Sequence, residues 1–372
     1  MADKNLSVAF IGTGIMGAPI AGHILDAGYS VRVFTRTKSK AAGLIERGAA
    51  WAESAEAAVE DADVVFTMVG YPQEVEEIYL AGDGLLATSK PGAYLIDLTT
   101  SSPELARDIA EAAEVSGRHA FDCPVTGGES GAIAGTLTLI VGATERDIEP
   151  VREVLECFSS NIFCFGGAGK GQAAKLANQV ALASSMVGMA DAMAFAQQSG
   201  LDLEQIRQMI CGGTGKSGAM EQLAPKALDG DYKPGFMVQH FLKDLGLALQ
   251  VAEEKEIALP GCDTAFTLYD MLDAIGGARL GTQAITLLYQ EEADSVAAGL
   301  DWSLYTSQHE EDEECGCGCG HDHGHDHECG CGHDHGEDHE CCCGHDHGED
   351  HECCGGHGHG EDHECCCGNH GA

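Results

Sequence analysis

Residues 7–37 read SVAFIGTGIMGAPIAGHILDAGYSVRVFTRT. The stretch opens on an apolar run from Val8 to Ile11 and passes through Gly12-Thr13-Gly14-Ile15-Met16-Gly17. An amphipathic segment follows, ending near Gly28, and a β-rich run from Ser30 to Phe34 closes the unit. The order is strand, tight turn, helix, strand. In that setting each glycine of G-x-G-x-x-G has a physical reason. The first makes the turn, the second lets a pyrophosphate approach the backbone, and the third lets the helix pack on the strand. Free N–H groups at the helix N-terminus face the phosphates. Pro19 sits in the first turn, where a missing N–H costs little. A glycine-rich turn without a ligand is the plainer alternative; the context favours a dinucleotide site.

The end of the second strand bears on which dinucleotide. Sites for NAD place an Asp or Glu about 20 residues past the glycines, on the ribose hydroxyls. Here the chain reads Phe34-Thr35-Arg36-Thr37-Lys38, with no acid. Arg36, flanked by Thr35 and Thr37 and with Lys38 and Lys40 nearby, suits a 2′-phosphate. The cluster is otherwise a solvated basic turn. Because the body is so acidic, basic residues gathered at this point favour NADP(H) over NAD(H).

Alternating strands and helices continue through DVVFTMVG, ending at Gly70, GAYLIDLTT (92–100), HAFDCPVTGG (119–128) and TLTLIVG (136–142), read as parallel strands. Ligands of such sheets lie beyond the carboxyl ends of the strands. Met68, Val69 and Gly70, then Thr99 and Thr100, then Thr126, Gly127 and Gly128 are therefore expected to line one crevice. From Gln172 to Ser199 there is no proline and one glycine, Gly188, and Gly200 follows as a helix stop. This predicts a long helix. Lys175 lies on its first turns with Asn178 at i+3 and Gln179 at i+4 on the same face. A lysine near a helix N-terminus opposes the macrodipole and loses its proton more easily. Spacing alone leaves it equally a surface lysine beside the glycine turn. Beyond Gly200 the body reads as mostly helical, with Phe236 and the pair Lys243-Asp244 standing out mildly against a solvated face.

Composition limits the partners. The chain has 60 acidic residues against 20 Lys and Arg, a formal charge of −40, which argues against nucleic acid and anionic membrane surfaces. Residues 309–372 hold 19 of those acids and no Lys or Arg, together with 13 of 18 cysteines and 15 of 18 histidines. The five cysteines of the body (Cys123, Cys157, Cys164, Cys211, Cys262) are scattered, like small packing residues and unlike a disulfide framework. The start carries no basic and apolar leader pattern, and no apolar run reaches the ~18–20 residues of a membrane span. A cytoplasmic chain is expected.

Taken together, the motifs of residues 6–300 resemble the β-hydroxyacid dehydrogenases: 3-hydroxyisobutyrate dehydrogenase, tartronate semialdehyde reductase and the glyoxylate/succinic semialdehyde reductases. They are FIGTGIMGAPIAGHILDAG, DLTTSSPELA, DCPVTGGESGAIAGTLTLIVG, GAGKGQAAKLANQ and FLKDLGLAL, in family order. The resemblance implies an α/β fold, with a Rossmann-type domain over 1–165 and an all-helical domain over 166–305 for substrate and dimer contacts, joined by the long helix. It implies Lys175 as the catalytic general acid/base and Thr126-Gly127-Gly128 as the loop holding the substrate carboxylate. Asn178, Gln179, Phe236 and Asp244 are implied at the substrate. Gly12, Thr13, Gly14, Ile15, Met16, Gly17, Thr35, Arg36, Thr37, Met68, Val69, Thr100 and Lys243 are implied at the cofactor. A small carboxylated aldehyde or hydroxyacid is the implied substrate, in a homodimer or homotetramer. Thr126 replaces a usual serine, Gln179 a second asparagine, His23 a frequent asparagine, and Gly281 stands where many members carry aspartate.

After the charged linker HEEDEE the chain repeats every twelve residues. Cys315, Cys317 and Cys319 precede four copies. The first (320–331) holds His321, His323, His325, His327, Cys329 and Cys331; the second (332–343) His333, His335, His339, Cys341, Cys342 and Cys343. The third (344–355) holds His345, His347, His351, Cys353 and Cys354; the fourth (356–367) His357, His359, His363, Cys365, Cys366 and Cys367. Imidazole and thiolate suit Zn, Ni, Co or Cu ions. No apolar residue is present to build a core, so the segment 306–372 is expected to be a disordered, metal-binding tail. Its metal is not expected to be catalytic, because catalytic sites use few, rigid ligands. Two readings stand: a reductase carrying a metal-buffering tail, or a metal-storage protein that keeps a dehydrogenase body as scaffold.

Overall fold

The computed structural model describes residues 6–305 and the backbone of two short strands in the tail, His351–Cys353 and His357–His359. The described residues fall in two units, one before and one after the boundary at residue 300. The two tail strands pair antiparallel, His351 opposite His359 and Cys353 opposite His357. Apart from that pairing, the expected disorder and metal ligation of the tail lie outside the described residues.

In the first unit, β1 (Ser7–Ile11), β2 (Ser30–Phe34), β3 (Ala50–Trp51), β4 (Val64–Thr67), β5 (Tyr94–Asp97) and β6 (His119–Asp122) form one sheet in the order β3-β2-β1-β4-β5-β6. Every pairing in it is parallel. The chain therefore winds outward from β1 to β3, returns to the other side of β1, and winds outward again. The order reverses between β1 and β4, and ligands of such sheets bind at that point.

Alternation along β1 accounts for its near-total burial. Val8 and Phe10 enter one core, where Phe10 stacks on Phe66 and Phe66 meets Phe158 edge-on. Ala9 and Ile11 enter the opposite core with Val65, Leu95 and Tyr79. A parallel strand covered on both faces has to be apolar at successive positions, and VAFI is. Truncating Phe10 to alanine would cost about 3–5 kcal/mol.

HAFDCPVTGG does not run on as one strand. β6 ends at Asp122, and β7 (Val125–Thr126) joins a second sheet with β8 (Leu137–Val141) and β9 (Ser159–Cys164). Pro124 lies at the break; it has no N–H for a ladder, while its carbonyl accepts the N–H of Ile140. β7 runs antiparallel to β8, and β8 parallel to β9. TLTLIVG therefore belongs to this smaller sheet and not to the large one.

The long helix spans Lys170–Gln198, and Gly200 after it takes the left-handed φ of +70°. By length and composition it could cross a membrane. Instead Leu176, Ala183, Met186, Met189, Ala190 and Met193 are buried, and the helix packs on helices Val238–Glu254 and Pro260–Ala274. It is the central core helix of the helical half. GTQAITLLYQEEADS reads as one helix but forms a 3₁₀ stretch, Thr282–Tyr289, and a separate α-helix, Glu292–Ala297. Six consecutive residues, Thr282 to Leu287, are buried. Such a run shows no amphipathic period, and its β-branched members disfavour the α-helix.

Candidate active site

The glycine loop sits directly after β1, at the reversal of strand order. Gly12 has φ +96°, and a Cβ there would stand 2.2 Å from the Met68 carbonyl oxygen. At Gly17 a Cβ would stand 2.0 Å from the Gly12 carbonyl oxygen, so helix Gly17–Asp26 starts hard against the turn. At Gly14 a Cβ would meet nothing within 4 Å. The first and third glycines are thus required by packing, and the second opens onto free space. The hydroxyl of Thr13 is buried and has no hydrogen-bond partner among the described residues. An open cradle at a helix N-terminus with an unpartnered hydroxyl fits the pyrophosphate of a dinucleotide. Ile15 is exposed and Met16 half-buried beside it.

The ends of β4 and β5 are bonded to each other. Val69 N–H donates to the Thr99 hydroxyl at 3.1 Å, and Thr67 Oγ1 donates to Asp97 Oδ1 at 2.7 Å. After β2, Thr35 is half-buried, and Arg36 and Thr37 are exposed. Arg36 does not stand free: its Nη2 lies 2.7 Å from Glu74 Oε1. Lys38 is turned the other way, over the Trp51 ring and toward Glu53.

Lys175 is only 8% exposed. Burial pulls its ammonium from the ordinary 10.5 to about 8; Asp244 opposes that shift, and Lys243 adds to it. Around it runs a chain of hydrogen bonds. Asn178 Nδ2 donates to Gln179 Oε1 at 2.8 Å, and Gln179 Nε2 donates to Asp244 Oδ2 at 2.6 Å. The other oxygen of Asp244 takes Lys243 Nζ at 2.8 Å, and Nζ also donates to the Thr100 carbonyl at 2.5 Å. Four residues singled out in the sequence are thus wired to the strand end that carries Thr100. Lys243-Asp244 is no solvated face; Asp244 is buried.

The turn Thr126-Gly127-Gly128 opens helix Gly128–Ala134, with φ of +128° and +62° at its two glycines. His23 fastens that helix to the glycine-loop helix, its Nε2 lying 3.1 and 3.0 Å from the carbonyl oxygens of Ala132 and Ile133. Phe236 is half-buried and packs on Phe241, with ring centroids 5.6 Å apart. Gly281 holds this loop from behind by pairing with Met237. A Cβ at Gly281 would stand 2.4 Å from the buried Gln283 amide, so an aspartate there would displace the packing.

Other residues at the site carry no local signal in the sequence. Asp122, at the end of β6, accepts Gly169 N–H at 2.8 Å and Gln172 N–H at 2.6 Å, anchoring the start of the long helix. Burial raises its carboxyl above the usual range despite those bonds. Gln172 spans outward, accepting Ser101 N–H and donating to the Thr99 carbonyl. Asp97 is register partner to Asp122. Burial lifts it from 3.8 to about 6; bonds from Thr99 and Thr67 pull down, and Asp122 pushes up. His240 packs edge-on to Tyr71, and burial lowers its pKa, with Lys243 acting in the same direction. Among the described residues no group of three or more His, Cys, Asp or Glu could hold a metal ion.

Residues 7–166 match the family described as the NAD binding domain of 6-phosphogluconate dehydrogenase. Residues 169–289 match the one described as NAD-binding of NADP-dependent 3-hydroxyisobutyrate dehydrogenase. The solved structure titled Mycobacterium tuberculosis 3-hydroxyisobutyrate dehydrogenase with L-serine superposes with a TM-score of 0.70 at 34% identity, covering 77% of this chain and 99% of that one. The chain belongs to the β-hydroxyacid dehydrogenase family.

The family is one of NAD(P)-dependent hydroxyacid dehydrogenases, and the chain is similar to two further curated relatives. The Bacillus subtilis oxidoreductase YkwC, described as uncharacterized, is 45% identical over 76% of this chain and 98% of its own length. The NAD-dependent L-serine dehydrogenase of Pseudomonas aeruginosa is 40% identical over 71% of this chain and 91% of its own. The two family matches end at residue 289, ahead of the repeated tail.

Proposed function

We propose that this β-hydroxyacid dehydrogenase prefers NADP(H) and interconverts a short carboxylated semialdehyde, or glyoxylate, with the corresponding hydroxyacid. The observation that carries this reading is Lys175: buried, brought to about 8, and surrounded by the paired chain from Asn178 to Thr100. A bound reduced nicotinamide supplies the hydride that adds to the aldehyde carbon. Protonated Lys175 polarises the carbonyl and gives its proton to the oxygen that becomes the hydroxyl. In the other direction neutral Lys175 takes that proton back. A pKa near 8 leaves both forms populated close to neutrality.

Thr126 and the N–H groups of Gly127 and Gly128 anchor the substrate carboxylate and fix its orientation. Asn178 and Phe236 border the substrate. Asp244 holds Gln179 and Lys243 in place, and Lys243 holds the strand end at Thr100. Arg36 supports the NADP(H) preference, while the NAD-dependent name of one relative speaks for the opposite one. The names of the relatives add 3-hydroxyisobutyrate and L-serine to the candidate substrates. The tail binds transition metal ions through its His and Cys repeats and takes no part in the chemistry, and the enzyme assembles as a cytoplasmic homodimer or homotetramer. The built network around Lys175 favours an enzyme over a metal-storage scaffold, which has no need of it.

The test is initial-rate kinetics of the full chain with NADPH and NADH against glyoxylate, succinic semialdehyde, tartronate semialdehyde and methylmalonate semialdehyde. In the reverse direction 3-hydroxyisobutyrate and L-serine are the substrates. Turnover favouring NADPH with at least one pair supports the reading. Turnover favouring NADH removes the cofactor preference alone. A folded protein that binds the cofactor and turns over none of them contradicts the reading.

A further inference from the structure

An NAD site normally takes its acid from the end of the second strand, and β2 ends here on Thr35-Arg36-Thr37 without one. The fold brings an acid to the same place from a different strand. Glu74 lies in the first turn of helix Pro72–Leu80, just after β4. One of its oxygens accepts the N–H of Gly70 at 2.8 Å and of Tyr71 at 3.2 Å. The other faces Arg36 Nη2 at 2.7 Å. The Glu74 side chain is 22% exposed and that of Arg36 85%. The carboxylate is therefore the fixed member of the pair, held by two backbone donors, and the long guanidinium is the member free to swing.

We propose that Glu74 sets the discrimination between the two dinucleotides, a role that rests on Arg36 receiving the 2′-phosphate. With a 2′-hydroxyl, the Arg36–Glu74 pair stays closed, and the carboxylate accepts from the ribose. With a 2′-phosphate, Arg36 must leave Glu74 and turn to the phosphate, and the fixed carboxylate then stands beside a like charge. Glu74 thereby restrains the NADP(H) preference that Arg36 confers, because specificity is a difference between two affinities and an internal competitor enters only one of them.

Glu74→Gln is the informative variant, since its amide oxygen still accepts from Gly70 and Tyr71 and the helix start keeps its cap. Binding of 2′,5′-ADP and 5′-ADP to the full chain is measured by calorimetry for the parent, Glu74→Gln and Arg36→Ala. The expected result is a preference for 2′,5′-ADP that rises by about 10-fold in Glu74→Gln and falls in Arg36→Ala. A ratio in Glu74→Gln within about twofold of the parent, with a fall in Arg36→Ala, overturns the role of Glu74 and leaves Arg36 as the phosphate site. An unchanged ratio in Arg36→Ala overturns both, because Arg36 then does not hold the phosphate. A purely structural cap at Glu74 would weaken both ligands alike and leave the ratio where it was.

Discussion

The carboxylate of Asp122 accepts the backbone N–H of Gln172 at 2.6 Å, and Lys175 follows one turn later on the same helix. The helix that presents the lysine is therefore fastened to the end of β6. Its second fastening is Gln172 itself, which bonds the backbone at Thr99 and Ser101 after β5. Asp122→Asn keeps one acceptor and loses the other. It is expected to cost about 1–3 kcal/mol in urea unfolding and to lower kcat more than it raises KM, since the lysine is misplaced while the cofactor loop is intact.

Asp97 makes stability depend on pH in a defined window. Its folded pKa, about 6, lies above the ordinary 3.8. The protonated group therefore favours the fold below about pH 4, and that contribution is lost as pH rises through about 6. Two units correspond to about 3 kcal/mol. Asp97→Asn should stay neutral throughout, so its stability relative to the parent should climb between pH 4 and 7. A difference that stays constant over that range contradicts the burial argument.

Gly12→Ala places a Cβ 2.2 Å from the Met68 carbonyl at a φ of +96°. Both the contact and the conformation resist a side chain. The expected outcome is loss of dinucleotide binding by calorimetry, with a folded helical half by circular dichroism. Wild-type affinity in this variant would show that the turn relaxes.

Asp244 holds the Lys175 proton against burial and against Lys243. Asp244→Asn removes that support, so the Lys175 titration should move below 8. The pH limb of the reaction is expected to shift downward with it, whereas a variant that only loosens the fold would lower the rate without moving the limb.

Chelation tests the separation of tail and body. Removing metal from the full chain should leave turnover within about twofold of the metal-loaded protein, because the proposed chemistry uses no metal. Loss of several ions per chain, followed by inductively coupled plasma spectrometry, is expected at the same time. Activity that vanishes and returns with metal would tie the repeats to the site.

What the sequence made legible was local. The glycine loop was legible from its spacing, whereas Lys175 with its neighbours at i+3 and i+4, and Lys243-Asp244, stood out through the family resemblance of their short motifs. Asp122, Asp97, Gln172 and Glu74 were not legible, because each acts on partners brought to it by strand register or crossover. Asp97 and Asp122 meet only once β5 and β6 are paired, and Arg36 meets Glu74 only once β2 and β4 flank β1. The break at Pro124 was visible as a residue but not as the boundary between two sheets. β9, SSNIFC, is too polar and too exposed to read as a strand. The alternation of the sheet fixed the two cores, and tertiary burial decided the fate of Thr282–Tyr289.

The most direct test of the central claim is the pH dependence of aldehyde reduction by the full chain, beside Lys175→Ala. Reduction should fall as pH rises through about 8, where Lys175 gives up its proton, and the reverse oxidation should rise over the same range. Lys175→Ala should lose at least about 100-fold in kcat with no limb near 8 and unchanged dinucleotide affinity. A variant that keeps the parent's rate and pH profile would contradict the assignment of Lys175 as the acid and base of this enzyme.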